Sequence, residues 1–394
     1  MRLPPPIVRM STRRRSRPRG LIFRAGVAAL KGFAWSVPAF LVLWAFGALW
    51  YDFPFIPGWI ACAWMAGLVY LLFRLRKLGS CLTAVGLSVA VVWLWWRTLS
   101  PSNDRSWEPD VALTGWAQPQ PDGDTVVLHN VRHCHYRSGT DYTPAWETRT
   151  VKLSSITTID LALCHRDTSS GAHPIVSFQF SDAPPVCFSI EPRLEKGEEY
   201  SAPGSFFRRY ELVYVMADEN DAIRVRTQYQ QDGQAYLYRL NITPEQARSR
   251  FQEYISTLNE LHGQPRWHNA LTTRWQTSLR TQRNGSSNAP WDWRLLAIGK
   301  ADELLFSRGR LVTDGLSFQD LKDRALISDA AQKAGDSPDF SRLIRTGRPG
   351  FSILPPPAPA MPPPAKAATA AEPPAPVSEP EPPAEPAVSS PSPS

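Results

Sequence analysis

Gly171-Ala-His-Pro-Ile-Val-Ser-Phe-Gln-Phe180, followed by Cys187-Phe-Ser-Ile-Glu-Pro-Arg193 and Glu195-Lys-Gly-Glu-Glu-Tyr-Ser201, is where the reading of this chain turns. From Pro174 to Phe180, apolar residues alternate with small or polar ones, the period-2 pattern of a half-buried strand. Asp182-Ala-Pro-Pro185 then reads as a turn, and a second short strand carries Glu191 back toward His173 if the two pair as a hairpin. A lone histidine at a strand edge is ordinarily structural. One with a carboxylate on the neighbouring strand is a candidate acid–base group, because the carboxylate fixes the tautomer and orientation of the imidazole. Such a pair still needs a nucleophile.

Working outward, the 394 residues divide by composition into unequal parts. Residues 1–31 form a basic arm containing Arg13-Arg-Arg-Ser-Arg-Pro-Arg19, and residues 32–98 hold three apolar stretches at about Gly32–Trp50, Pro57–Phe73 and Leu78–Trp96. Each approaches the roughly 20 residues that cross a bilayer as a helix, without an internal charge. Trp35, Trp44, Trp50, Tyr51, Trp59, Trp93, Trp95 and Trp96 gather mainly near their ends, as interfacial aromatics do. Basic residues in the arm and in Arg74-Leu-Arg-Lys77, against none in Tyr51–Pro57, predict a cytoplasmic N-terminus and three membrane crossings. Everything after Arg97 then lies on the outer face of the membrane. The net charge of +7 is partly this targeting feature, so the expected partner is the lipid bilayer and not nucleic acid.

Residues 99–122 read as a linker, 123–350 as a folded domain, and 351–394, rich in Pro and Ala, as a disordered tail. Strands are expected at Gly123–Arg132, Trp146–Leu153, Ile156–Leu163, around His173 and Glu191, at Tyr210–Ala217 and at Ala235–Leu240. Helices follow. Thr243-Pro-Glu-Gln246 is a capping box opening a helix with Phe251, Tyr254, Ile255, Leu258 and Leu261 on one face, ended by Gly263. Further helices are expected after Trp267, at Trp291–Gly299, at Ala301–Phe306 and at Phe318–Gln332. Strands first and helices later make the domain α+β. No Walker loop, dinucleotide fingerprint or serine elbow is present, and no cofactor is expected.

Several short motifs occur in collinear order: Gly123-Asp-Thr-Val, Tyr136-Arg-Ser, Trp146-Glu-Thr-Arg, Ala172-His, Ser189-Ile-Glu, Glu195-Lys-Gly-Glu, Phe206-Phe-Arg-Arg-Tyr-Glu-Leu, Asn269-Ala-Leu-Thr, Asp292-Trp-Arg and Phe340-Ser-Arg. Over residues 123–345 they resemble the Lnb N-terminal periplasmic domain family. The resemblance implies a papain-like, NlpC/P60-type domain attached to membrane helices, whose namesake subgroup transfers an acyl chain to the N-terminal cysteine amine of lipoproteins. It implies that His173 is the catalytic histidine, that Glu191 lies in its Ser-Ile-Glu stretch, and that Glu195, Glu198 and Glu199 shape the cleft. The family's nucleophile is the cysteine of Asn-Ala-Leu-Thr-x-Asn-Cys-Thr-Thr. Here Asn269-Ala-Leu-Thr-Thr-Arg-Trp-Gln-Thr277 puts Arg274 at the Asn and Trp275 at the Cys. An indole offers no nucleophile.

Three readings follow. In one, the domain is a degenerate relative that binds lipoproteins or lipid-linked envelope ligands without thiol catalysis, with His173 and Glu191 as a remnant pair. In another, it is an acyltransferase or thiol hydrolase with a relocated cysteine: Cys187 is the alternative nucleophile, with Cys134 and Cys164 in the same domain, unless these are small buried residues or a disulfide pair. A third draws on His129, His133, Cys134, His135, Cys164 and His165 as metal ligands, since His129, His133 and His135 would share one face of a strand. Their spacing matches no standard zinc pattern, and no metal is assigned. Arg208, Arg209, Arg224 and Arg226 are read as a solvated face or as contacts to lipid phosphates.

Overall fold

The computed structural model describes residues 19–54, 58–165, 171–229, 233–270, 292, 294 and 298–351. The chain begins with helices α1 (Arg19–Asp52), α2 (Trp59–Arg74) and α3 (Leu78–Thr98). Part of the stretch expected as a basic arm is thus already helical. The three pack through Ala45, Ala48, Leu49, Ala61, Leu68, Val85, Val89 and Val92, and the three small alanines let the helices approach closely. Among the described residues, α3 alone has both the length and the apolarity to cross a membrane, while α2 is apolar but shorter.

The rest is built on one mixed sheet flanked by helices. Its strands are β1 (Trp116–Pro119), β2 (Thr125–Arg132), β5 (Trp146–Lys152), β6 (Ile156–His165), β7 (Ala172–Phe180), β8 (Val186–Arg193), β9 (Glu211–Asp218) and β10 (Ala235–Arg239); β3 (His135–Tyr136) and β4 (Tyr142–Thr143) form a separate small ribbon. The order is β1-β2-β9-β8-β7-β6-β10, with β5 also paired to β2. All pairings are antiparallel except β2–β9, which meet in parallel at Arg132 and Ala217.

Period-2 alternation puts the two sets of side chains on opposite faces. One set includes Phe178, Phe188 and Met216 and packs against α5 (Pro244–Gly263) through Phe251, Tyr254, Ile255 and Leu258. Thr243 caps that helix as expected: its side chain accepts from the Gln246 amide while the Gln246 side chain returns to the Thr243 amide. Toward β10 the same face is covered by α6 (Ala301–Ser307) and α7 (Phe318–Ala325). The other set includes Cys164, Ile175, Cys187 and Val215 and lies beneath α4 (Glu219–Arg224), α8 (Ser328–Ala334) and α9 (Phe340–Leu343).

Two expectations need correction. The stretch read as a linker is part of the fold: Trp107 and Val111 are buried, β1 forms from it, and Arg193 stacks on Trp107 at 4.2 Å while donating to the Val111 and Ala112 carbonyls. The helix expected over Phe318–Gln332 is broken, because Leu326 bridges to Tyr236 and the Ile327 amide bonds the Ala235 carbonyl before α8 begins. The Trp291–Gly299 helix and the proline-rich tail, 352–394, lie largely or wholly outside the described residues.

Candidate functional site

Strands β7 and β8 pair antiparallel with Ile175 opposite Ser189, and that register carries His173 and Glu191 to facing positions. His173 Nε2 lies 3.3 Å from Glu191 Oε1. The same oxygen accepts from Arg226 Nη2 at 2.9 Å and from Ser189 Oγ at 2.5 Å. Arg226 comes from the π-helical turn Val225–Tyr229 that continues α4, which explains why sequence spacing gave no hint of it. Arg226 is therefore no member of a solvated face, and neither is Arg224, which pairs with Asp336 and donates to the Tyr136 carbonyl.

The cluster sits at one end of the sheet, with side-chain exposures of 21% for His173, 15% for Glu191 and 14% for Arg226. Burial works to raise the Glu191 pKa, yet Arg226, His173 and Arg132 together hold the carboxyl well below its usual range. It is a carboxylate at neutral pH. An anionic Glu191 gripping both bases orders them, so that His173 and Arg226 present fixed donors at the strand ends.

The thiols are placed differently. Cys164, named with Cys134 beside the preferred Cys187, is the direct cross-strand neighbour of His173 on β6. It is buried, and burial pushes its pKa up to about 11, with Arg226 opposing. Cys187 pairs in register with Ser177 and Ala217, two full pleat repeats deeper than His173 and fully buried. Burial, then Glu219, raises its pKa well above that of an ordinary thiol. Cys134 is likewise buried and raised to about 11, and none of the five cysteines is in a disulfide. Trp275 and Arg274 lie outside the described residues.

The histidines expected on one strand face do not all stay together: His133 and His135 meet edge-on with ring centroids 5.1 Å apart, but His129 takes another partner. β2 is bulged at Asn130, whose φ of 59° breaks the alternation, and the strand ends at Arg132. His129 stacks on Trp116 with centroids 3.9 Å apart, and His133 pairs with Asp218 at 3.4 Å. No three of His, Cys, Asp and Glu converge on a common point among the described residues. Glu195 and Glu198 pair with Arg105 and Arg209, away from His173.

No curated protein and no solved structure matches the chain. A family model does: residues 142–299 match the Lnb N-terminal periplasmic domain, a span narrower than the resemblance read over 123–345 and one that contains His173, Glu191, Arg226 and Trp275. Residues 142–299 are thus the part of the chain that is similar to the Lnb N-terminal periplasmic domain, and the His173–Glu191–Arg226 cluster lies within that span.

Proposed function

We propose that this is a membrane-anchored envelope protein whose Lnb-type domain faces the periplasm and binds lipoprotein or lipid-linked ligands without thiol catalysis. The family match and the apolar helix α3 support the anchored, periplasmic placement. The finer topology, with a cytoplasmic N-terminus, three crossings and a papain-like domain, rests on the charge pattern and the sequence resemblance. One observation carries the binding reading. His173 is engaged by a carboxylate that Arg226 also holds, while the thiol beside it in register, Cys164, is buried with its pKa pushed to about 11. A thiolate nucleophile needs the reverse, exposure and a depressed pKa. Trp275 at the family's cysteine position agrees. Arg226 and His173 would then donate to a carbonyl or anionic group of the ligand.

The test pairs reactivity with binding on the full-length protein in detergent micelles. Iodoacetamide should label Cys134, Cys164 and Cys187 only after denaturation, and a diacylated lipopeptide should bind without losing an acyl chain, more weakly in Arg226→Met. The adjacency of Cys164 to His173 favours one alternative, a relocated nucleophile. Rapid native alkylation of Cys164 that His173→Gln abolishes, together with acyl transfer from the lipopeptide, would establish that alternative and end the binding reading.

A further inference from the structure

The loop Gly204–Tyr210 is joined to the membrane helices by an unusually close set of contacts. Phe207 stacks on Tyr51 with centroids 5.4 Å apart. Its ring also lies over Gly47, where a Cβ would fall 2.2 Å from Cζ, so only glycine leaves room for it. Arg208 covers the Trp96 ring at 3.6 Å and donates to the Trp96 and Leu99 carbonyls. Asp52, at the end of α1, accepts from both Trp96 Nε1 and the Arg208 amide. Gly47 precedes Asp52 by five residues, or about 7.5 Å along the helix axis. The loop thus reaches back past the end of α1, to the level of Trp50 and Trp93, which are exposed on the helix surfaces.

Beside this joint the domain leaves two large side chains uncovered. Tyr200 is 48% exposed and Phe206 46%. Both are held firmly: Ser205 Oγ donates to the Tyr200 hydroxyl, Tyr200 stacks on Tyr210, and Asn269 Nδ2 donates to the Phe206 carbonyl at 2.9 Å. The Ala270 amide bonds the Ser205 carbonyl beside it. Arg97, exposed at the end of α3, adds positive charge nearby. Aromatic rings with a polar tip or flank, next to an arginine and continuous with an apolar helix surface, fit the boundary between phospholipid headgroups and acyl chains.

We propose that Tyr200 and Phe206 are seated in the headgroup layer of the outer leaflet, making this loop an interfacial anchor that fixes the domain, through Asn269 and Ala270, against the lipid surface. The inference rests on the membrane-anchored reading above. It goes further in naming a second, domain-borne lipid contact and the segment it positions.

Its test uses the full chain in phospholipid nanodiscs, with a benzophenone-bearing amino acid installed singly at Phe206, at Tyr200, at Leu87 on the exposed side of α3, or at Asp182 in the β7–β8 turn. After irradiation, lipid adducts are quantified by mass spectrometry. Positions 206 and 200 should yield several-fold more phospholipid adduct than 182 and approach 87. Adducts at 87 but only background at 206 and 200 would overturn the anchor while leaving the membrane reading intact. Background at all four would overturn both. Cross-links from 206 to a second copy of the chain in place of lipid would also overturn it, since the face would then be a protein contact.

Discussion

Arg345 gives the sharpest test of how the domain is held together. Its guanidinium donates to Asp160 at 2.9 Å and to both oxygens of Glu219 at 2.7 and 2.6 Å, and all three side chains are essentially without solvent contact. Asp160 has a second partner in Arg239 at 3.0 Å, whereas Glu219 keeps no cation once Arg345 is gone, only the hydroxyls of Ser177, at 2.6 Å, and Ser341. Arg345→Met therefore strands one buried carboxylate, and removing one partner of a buried pair costs about 3–5 kcal/mol. The penalty belongs to the stranded charge. Adding Glu219→Gln, which can still accept from Ser177, should recover most of it and leave a deficit of about 1–2 kcal/mol.

The pH dependence has a definite sign. In the native protein burial raises the Glu219 pKa, but Arg345 and Ser177 outweigh it and hold the carboxyl below its usual range. Without Arg345 burial prevails, the folded-state pKa rises above the unfolded one, and the deficit of the single variant shrinks as pH falls. The assay is urea unfolding of the extramembrane domain within the full chain in micelles, followed by near-ultraviolet circular dichroism. A loss below about 1 kcal/mol, or a double variant no more stable than Arg345→Met, would refute the account of this network.

Glu211, buried and paired with Arg105 at 2.8 Å, has its pKa raised by burial from 4.5 to about 7 despite that arginine. A carboxyl raised in the folded state contributes stability below the unfolded pKa and loses it as pH climbs through the folded one, here about 3 kcal/mol between pH 4.5 and 7. Glu211→Gln should accordingly gain stability relative to the parent over that window, and an identical difference at pH 5 and pH 8 would contradict this. At the joint with α1, Gly47→Ala should cost about 1–3 kcal/mol through the clash with Phe207. Phe207→Ala in the same chain should relieve the strain component, read as the non-additivity of thermal midpoints in micelles.

Much of this fold is legible where the pattern is local. Alternation located β6 through β10 closely, and Thr243 with Gln246 marked the start of α5 because a capping box is complete within four residues. The pairing of His173 with Glu191 was legible too, since a short turn between two alternating runs fixes a hairpin register. What escaped depends on partners far away in the chain. Trp107 stands among Pro, Ser and Asp, a composition typical of a linker, and it is buried in a core shared with Val213 and stacked on by Arg193, both far along the chain on β9 and β8. Arg226 reads as one more surface cation until the π-turn aims it at Glu191. The bulge at Asn130 interrupts the alternation, which parts His129 from His133 and His135.

Two of the polar clusters on the face of the sheet under α4, α8 and α9 differ in placement, and that separates their roles. Asp160, Glu219, Arg239 and Arg345 balance in charge deep in the layer, and Phe351 covers the two arginines with its ring 4.4 and 5.7 Å from them. No ligand reaches such a set without unfolding the C-terminal segment, so substitutions there should register as lost stability. His173, Glu191 and Arg226 use the same chemistry at the strand ends, where each side chain retains some access to solvent. There a ligand group can compete for the same donors, and substitution should register first in affinity. Stability and binding measured on Arg345→Met and Arg226→Met together would separate a sealed cluster from an open one. If Arg226→Met lost as much stability as Arg345→Met and no affinity, the open cluster would be only another structural pair.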